Sequence, residues 1–378
     1  LNPSEYQSQH FLDSTKQDVQ NSISMFKERN LNENSFCVMP FVNVILEPDG
    51  NIGVCRHKGH NFTFGNIRHQ TIEEILSSPK VVEWRKEHIT GSTTICETEL
   101  VDRKCNLCPH LNKLLPFAEI QNITNPKILR LTANLNGQCN LRCQMCTIWQ
   151  EPNGFYNEEN FWSHARKKLF REIKEIDFLS GEPFIQDDTY KFINEISPIN
   201  PTCQWSFTTN LHWKLTDQIK EELDKISIKY LLISIDSLEE KTYHKIRYPG
   251  NLNFVLDNID KIVEYEKSRI ERKLSHLNMR INFLIQKDNW KEIKMAINFC
   301  LEKKLPPFVS FLYGPQNLSL LDLDYKERTE ILDFYFSTLS RQEILFSLRV
   351  IKPLIKSLNN IDYAHYLLTL SSITDDLK

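Results

Sequence analysis

Between residues 127 and 313 the chain alternates between two kinds of segment. KILRLTA (127–133), EIDFL (175–179), CQWSFTT (203–209), KYLLISI (229–235), LNMRINFLI (277–285) and PFVSFLY (307–313) are short runs of apolar, β-branched or aromatic residues. Stretches with apolar residues at helical spacing separate them, among them LTDQIKEELDKI and NWKEIKMAINFCLEKK. A helical crossover returns the chain to the same end of a sheet, so strands joined in this way run parallel. Six such runs predict an α/β fold with the outer face of the sheet covered by helices, either an open doubly wound sheet or part of a (β/α) barrel. Both architectures place their sites at the carboxyl ends of the strands.

The flanking sequence has a different pattern. FVNVILEPDGNIGVCR (41–56) sets two alternating apolar runs around Asp49-Gly50, a hairpin signal, and TIEEILSSPKVVEWRKEH (71–88) reads as helix interrupted near Pro79. Residues 1–35 carry Phe11, Val19, Ile23 and Phe26 at near-helical spacing, which predicts an amphipathic helical segment, and residues 317–378 read as a helical C-terminal segment. No GxGxxG or GxxxxGK[ST] phosphate loop occurs. The 46 basic and 49 acidic residues give a formal charge of -3, which argues against binding to a nucleic-acid backbone. No apolar run approaches the roughly 18 residues of a membrane helix, and the first residues lack a signal-peptide pattern. A cytoplasmic protein with no membrane partner is expected.

Ten cysteines in a reducing compartment point to metal or redox chemistry when they cluster. CNLRCQMC puts Cys139, Cys143 and Cys146 in the order C-x3-C-x2-C, just after the first strand of the series. Three thiolates on one loop can hold three irons of a cubane cluster and leave the fourth iron open to a small molecule. A structural zinc site takes four closed ligands, which a lone triplet does not supply. Zinc and inert buried thiols remain the alternative readings. Cys37, Cys55, Cys96, Cys105 and Cys108 lie in the first third of the chain, while Cys203 and Cys300 stand alone and read as buried apolar residues.

The placement of CNLRCQMC resembles that of the radical S-adenosylmethionine superfamily. SGEP (180–183) after the second strand is similar to the family's GGEP, TTN after the third ends at Asn210, and ISIDS (233–237) after the fourth is similar to its SxDG stretch. Arg247 in YHKIRYPG and Asn282 in RINFLI also match family positions. Ser180 and Ser237 stand where glycines are usual, and Met145 where many members carry an aromatic residue against adenine. The resemblance implies a partial (β/α)6 TIM-like barrel over residues 126–316. It also implies a 4Fe-4S cluster on Cys139, Cys143 and Cys146, and S-adenosylmethionine bound through Met145, Ser180, Gly181, Glu182, Asn210, Ser234, Asp236, Arg247 and Asn282. One electron would cleave that cofactor to a 5'-deoxyadenosyl radical, which takes hydrogen from a substrate.

Residues 36–112 resemble the SPASM and twitch domains, whose pattern opens with a cysteine, a glycine and a second cysteine, here Cys37, Gly50 and Cys55, followed by Cys105 and Cys108. The implied unit is a small α+β domain preceding the barrel and holding a second, auxiliary 4Fe-4S cluster on those four cysteines, with Cys96 spare. His57, His60 and His110 read as solvated loop residues. The same C-x2-C with two further cysteines also describes a zinc ribbon. The expected substrate is a peptide or protein side chain or a small metabolite, with flavodoxin or ferredoxin as the type of electron donor. An RNA-modifying enzyme with an N-terminal zinc ribbon and a noncatalytic iron-sulfur scaffold are the competing functions.

Overall fold

The computed structural model describes residues 28, 37, 39–55, 63–91, 127–153, 156 and 159–374. The readings that rest on Cys96, Cys105, Cys108, His57, His60 and His110 lie outside those residues, as does the helix expected in residues 1–35 apart from residue 28.

All six expected strands form. They are β4 (Arg130–Ala133), β5 (Glu175–Phe178), β6 (Gln204–Thr209), β7 (Ser227–Ser234), β8 (Met279–Ile285) and β9 (Pro307–Phe311), parallel neighbours in chain order. A doubly wound sheet reverses its strand order at a switch point. From β4 to β9 the order never reverses, so the winding advances one way, as in a barrel, and six strands make part of one. Leu131, Ile176, Trp205, Leu231, Ile281 and Val309 point outward into the main apolar core. Residues that alternate with them, such as Arg130, Asp177, Ser206, Ser234 and Asn282, line the inner face and make it polar.

The amino-terminal end of that inner face is tied by charge. Arg130 is buried, with Nε 3.1 Å from Glu175 Oε1 and Nη2 2.5 Å from Asp177 Oδ2, and it donates to Asn43 Oδ1 at 3.0 Å. Lys229 Nζ meets the other Glu175 oxygen at 2.9 Å. Sharing one guanidinium between two carboxylates satisfies charges that burial alone would penalise.

The hairpin is present as β1 (Asn43–Leu46) and β2 (Asn51–Gly53), antiparallel, with Gly50 at φ +82°, where an L side chain would be strained. A helical turn, Met39–Val42, occupies the start of what reads as strand, and β3 (Gly65–Asn66) adds a third short strand. The helical region breaks where the spacing predicts: Ile72–Leu76 starts with a Thr71–Glu74 capping box, and Pro79–Thr90 restarts with proline at its first position. β1 pairs in parallel with β4, Asn43 opposite Arg130, so the hairpin extends the barrel sheet to nine strands, in the order β3-β2-β1-β4-β5-β6-β7-β8-β9. Buried Arg85 ties its helix to the Met39–Val42 turn and to the Ile72–Leu76 helix by donating to Pro40 O and Leu76 O, each at 2.8 Å. After β9 the helices Tyr325–Thr338, Arg341–Phe346, Leu348–Lys356 and Asn360–Thr374 follow, with Leu348–Lys356 packed on β9. Among the described residues no helix is long and apolar enough to cross a membrane.

Candidate functional site

Beyond Ala133 the chain enters a loop at the carboxyl end of β4 that carries Cys139, Cys143 and Cys146, all half-buried and none in a disulfide. Backbone bonds clamp this loop on one side, where Arg142 N donates to Tyr248 O at 2.5 Å and Gln144 N to Ile246 O at 2.9 Å. The Gln144 side chain donates to Asp288 Oδ2 at 3.0 Å and Gln286 Oε1 at 3.2 Å, past the end of β8. The SGEP turn holds the opposite side. Glu182 N and Gln186 Nε2 both donate to Gln138 O at 2.9 Å, and the Ser180 hydroxyl donates to Asn136 O. Gly181 has φ +57°, and a β-carbon there would stand 2.2 Å from Gln138 O, so both conformation and space require glycine.

The acidic residues of these motifs are wholly buried and serve the protein itself. Glu182 accepts from the Thr209 hydroxyl at 2.8 Å and from Asn210 N at 2.7 Å, which joins the ends of β5 and β6. Asn210 in turn donates to Asn140 Oδ1 at 2.9 Å and lies 3.7 Å from Cys139 Sγ. Asp236, at φ +67°, accepts from Leu284 N at 2.8 Å and pairs with Arg247 Nη2 at 2.6 Å. The Arg247 Nη1 atom lies 3.9 Å from Cys143 Sγ. Ser234 and Asn282 share the inner face, with Asn282 Nδ2 3.5 Å from Ser234 Oγ and its Oδ1 accepting from Ser310 at 2.7 Å. Met145 is half-buried between two of the cysteines.

Ser180, Gly181, Glu182, Asn210, Asp236 and Arg247 therefore converge on the cysteine loop, and Ser234 and Asn282 stand on the adjoining inner face. Cys37 and Cys55 are described at the two ends of the hairpin region, Cys37 buried and Cys55 half-buried. Sequence reasoning missed Gln144 and Asn140. A polar residue between two closely spaced cysteines was a visible signal for Gln144, whereas the role of the Gln138 carbonyl had none, since any residue carries that group.

Burial pushes the Cys139 thiol up to about 11 and raises Cys143 and Cys146, while Arg247 acts in the opposite direction on the latter two. The thiolate is the ligating form, so loading this loop with metal releases protons that burial otherwise retains. The donor set fits a cluster: three half-buried thiols on one clamped loop, with Leu141 N 3.5 Å from Cys139 Sγ. Arg247 Nε, Tyr243 Oη and Gln286 Nε2 are buried without hydrogen-bond partners, a surplus of polar atoms behind the loop. Among the described residues no three His, Cys, Asp or Glu side chains are gathered closely enough to hold a single metal ion. A cluster takes one thiolate per iron, so its ligands need not meet at one point.

A family profile described as the radical SAM superfamily matches residues 134–300, and one described as an iron-sulfur cluster-binding domain, SPASM, matches residues 37–109. Residues 134–300 thus form a radical SAM superfamily domain. The radical SAM match encloses every residue gathered at the cysteine loop, and the SPASM match starts at Cys37 and reaches past Cys108. Similar curated proteins include the GTP 3',8-cyclase of Sulfurovum sp., 29% identical over 199 residues, 50% of this chain and 57% of that protein. The GTP 3',8-cyclase of Clostridium botulinum is 32% identical over 195 residues, 49% and 56% of the two chains. The chain thus spans about half the length of the curated relatives it matches. Among solved structures, Streptococcus suis SuiB bound to precursor peptide SuiA aligns with a TM-score of 0.40 at 16% identity, over 80% of this chain and 70% of that one.

Proposed function

We propose that this chain is a radical enzyme that cleaves S-adenosylmethionine and takes a hydrogen atom from an organic substrate held against the inner face of the barrel. The observation that carries this reading is the cysteine loop, clamped between the SGEP turn and the Ile246–Tyr248 backbone at the carboxyl ends of the strands. Cys139, Cys143 and Cys146 would hold a 4Fe-4S cluster, which together with S-adenosylmethionine would supply one-electron cleavage of that cofactor to a 5'-deoxyadenosyl radical.

The protein's own contribution is placement. Main-chain groups of Ser180 and Gly181 are held within reach of the loop by the Gln138 and Asn136 carbonyls. Glu182 fixes Asn210 beside Cys139, and Asp236 fixes Arg247 beside Cys143. Ser234 and Asn282, one step along the inner face, would orient a polar ligand next to the loop. Met145 offers a polarizable surface to a flat ring.

Residues 36–112 are proposed as the auxiliary domain, with Cys37, Cys55, Cys105 and Cys108 holding a closed second cluster that passes or accepts an electron. The substrate is a small metabolite or a peptide side chain. GTP in the name of the curated relatives supports the former. A low-potential one-electron donor such as a flavodoxin or ferredoxin completes the cycle, in a reducing, cytoplasmic setting that keeps thiols available. The test is anaerobic incubation of reconstituted protein with S-adenosylmethionine and dithionite. 5'-Deoxyadenosine is expected, and its absence from protein with full iron content would refute the reading.

A further inference from the structure

The inner face of the barrel carries two cations close to the cofactor residues. Arg280 lies on β8 two residues before Asn282, on the same face, with its guanidinium carbon 5.8 Å from the Tyr230 ring centroid. Arg349 comes from the Leu348–Lys356 helix and sits 4.4 Å from the Phe308 ring centroid. Phe308 pairs in register with Asn282, and Asn282 with Ser234, so Arg349 stands at the level of the pair next to the cysteine loop. Tyr230, Leu232 and Phe308 form an apolar cluster separate from the main core, a floor for the two guanidiniums.

Both arginines are half-buried, and Arg280 is one of the causes, after burial, that lower the Arg349 pKa. Each makes further contacts as well; what marks the pair is its position, on the face where substrate must meet the radical. Arginine is also the residue suited to this task, since its planar fork matches the two oxygens of a carboxylate or phosphate.

We propose that Arg280 and Arg349 together bind an anionic group of the substrate, carboxylate or phosphate, and so fix which carbon faces the cysteine loop. This rests on the reading of the inner face as the substrate site. It narrows the substrate class to molecules with an acidic end some way from the reacting carbon, and it gives the C-terminal helices a reason to pack on β9: they deliver one of the two cations.

The test is calorimetric titration of the reconstituted full chain with inorganic pyrophosphate and, separately, glutarate, which distinguishes a phosphate from a carboxylate preference. One of the two should bind, with affinity falling at least about fivefold in Arg349→Lys and in Arg280→Lys, because the charge stays while the two-pronged geometry is lost. The lysine variants keep a long cationic side chain at each position, and their melting temperatures check that the fold is retained. Binding of neither anion by the wild-type chain would overturn the proposal, as would equal binding by folded lysine variants. 5'-Deoxyadenosine formation by the wild-type protein, measured in parallel, reports on the radical reading independently of the anion site.

Discussion

Gly181→Ala should dislodge the cysteine loop while leaving the barrel folded. The residue has φ +57°, a conformation that costs an L-amino acid about 1–2 kcal/mol. The new methyl would also lie 2.2 Å from Gln138 O and 2.4 Å from Gln186 Nε2. The Gln186 amide can turn away, but the Gln138 carbonyl is backbone, and forcing groups apart in a packed site costs about 1–3 kcal/mol. The total, about 2–5 kcal/mol, is a large part of the roughly 5–15 kcal/mol that holds a domain together. The cheapest relief is to move the loop, which breaks the Glu182 N and Gln186 Nε2 bonds to Gln138 O and shifts Cys139, the next residue. Far-UV circular dichroism should therefore stay near wild type, while iron retained after anaerobic reconstitution falls by about half or more and 5'-deoxyadenosine formation by at least tenfold. Gly181→Ala protein with wild-type iron content, melting temperature and cleavage rate would refute the claim that this contact positions the loop.

Three further outcomes are expected. Burial raises the Glu182 carboxyl from 4.5 to about 7, so the folded chain holds that proton more tightly than the unfolded one, and the group's contribution to stability declines as pH rises from about 4.5 to about 7. At about 1.4 kcal/mol per unit this amounts to about 3–4 kcal/mol, and Glu182→Gln should flatten that part of the stability curve of the metal-free protein; an unchanged slope in chemical denaturation would contradict it. The reconstituted wild-type chain should hold about eight irons, and the double variant Cys105→Ala, Cys108→Ala about four, with some uncoupled cofactor cleavage surviving; four irons and one zinc in the wild type would remove the second cluster from the account. Asp177→Asn removes one carboxylate from Arg130 and should destabilise the chain by about 3 kcal/mol or more, as read by urea denaturation, because the buried guanidinium loses a charged partner.

The barrel was readable because its strands announce themselves: KYLLISI and LNMRINFLI have no plausible life outside a sheet, and the intervening segments have helical periodicity. What the pattern left open, barrel or doubly wound sheet, depends on the order in which strands pair, and a single strand's composition carries no record of its neighbour. The parallel pairing of β1 with β4 was invisible for the same reason. Asn43 and Arg130 are 87 positions apart, and only the folded chain, through the β1–β4 ladder and the Arg130–Asn43 side-chain bond, shows that the hairpin belongs to the barrel sheet. At the site, Cys139, Cys143 and Cys146 were legible because ligand spacing is local. The different uses of Gly181 and Glu182 within one motif were not, since main-chain contacts such as Glu182 N to Gln138 O leave no trace in side-chain identity. Arg349 lay hidden for a related reason: its helix reads as an ordinary amphipathic tail, and the partner that gives it meaning, Arg280, is on a strand far away in sequence.

The most direct test of the central claim is the effect of Cys143→Ala on cofactor cleavage. Cys143 is one of three thiols on the clamped loop, with Arg247 Nη1 3.9 Å from its sulfur. Losing one of three ligands leaves no cluster with a single open iron to bind the amino and carboxylate groups of S-adenosylmethionine. Under anaerobic conditions with dithionite, the wild-type chain should form 5'-deoxyadenosine and Cys143→Ala none above background, at matched secondary-structure content by circular dichroism. Cleavage by Cys143→Ala at the wild-type rate would contradict the account.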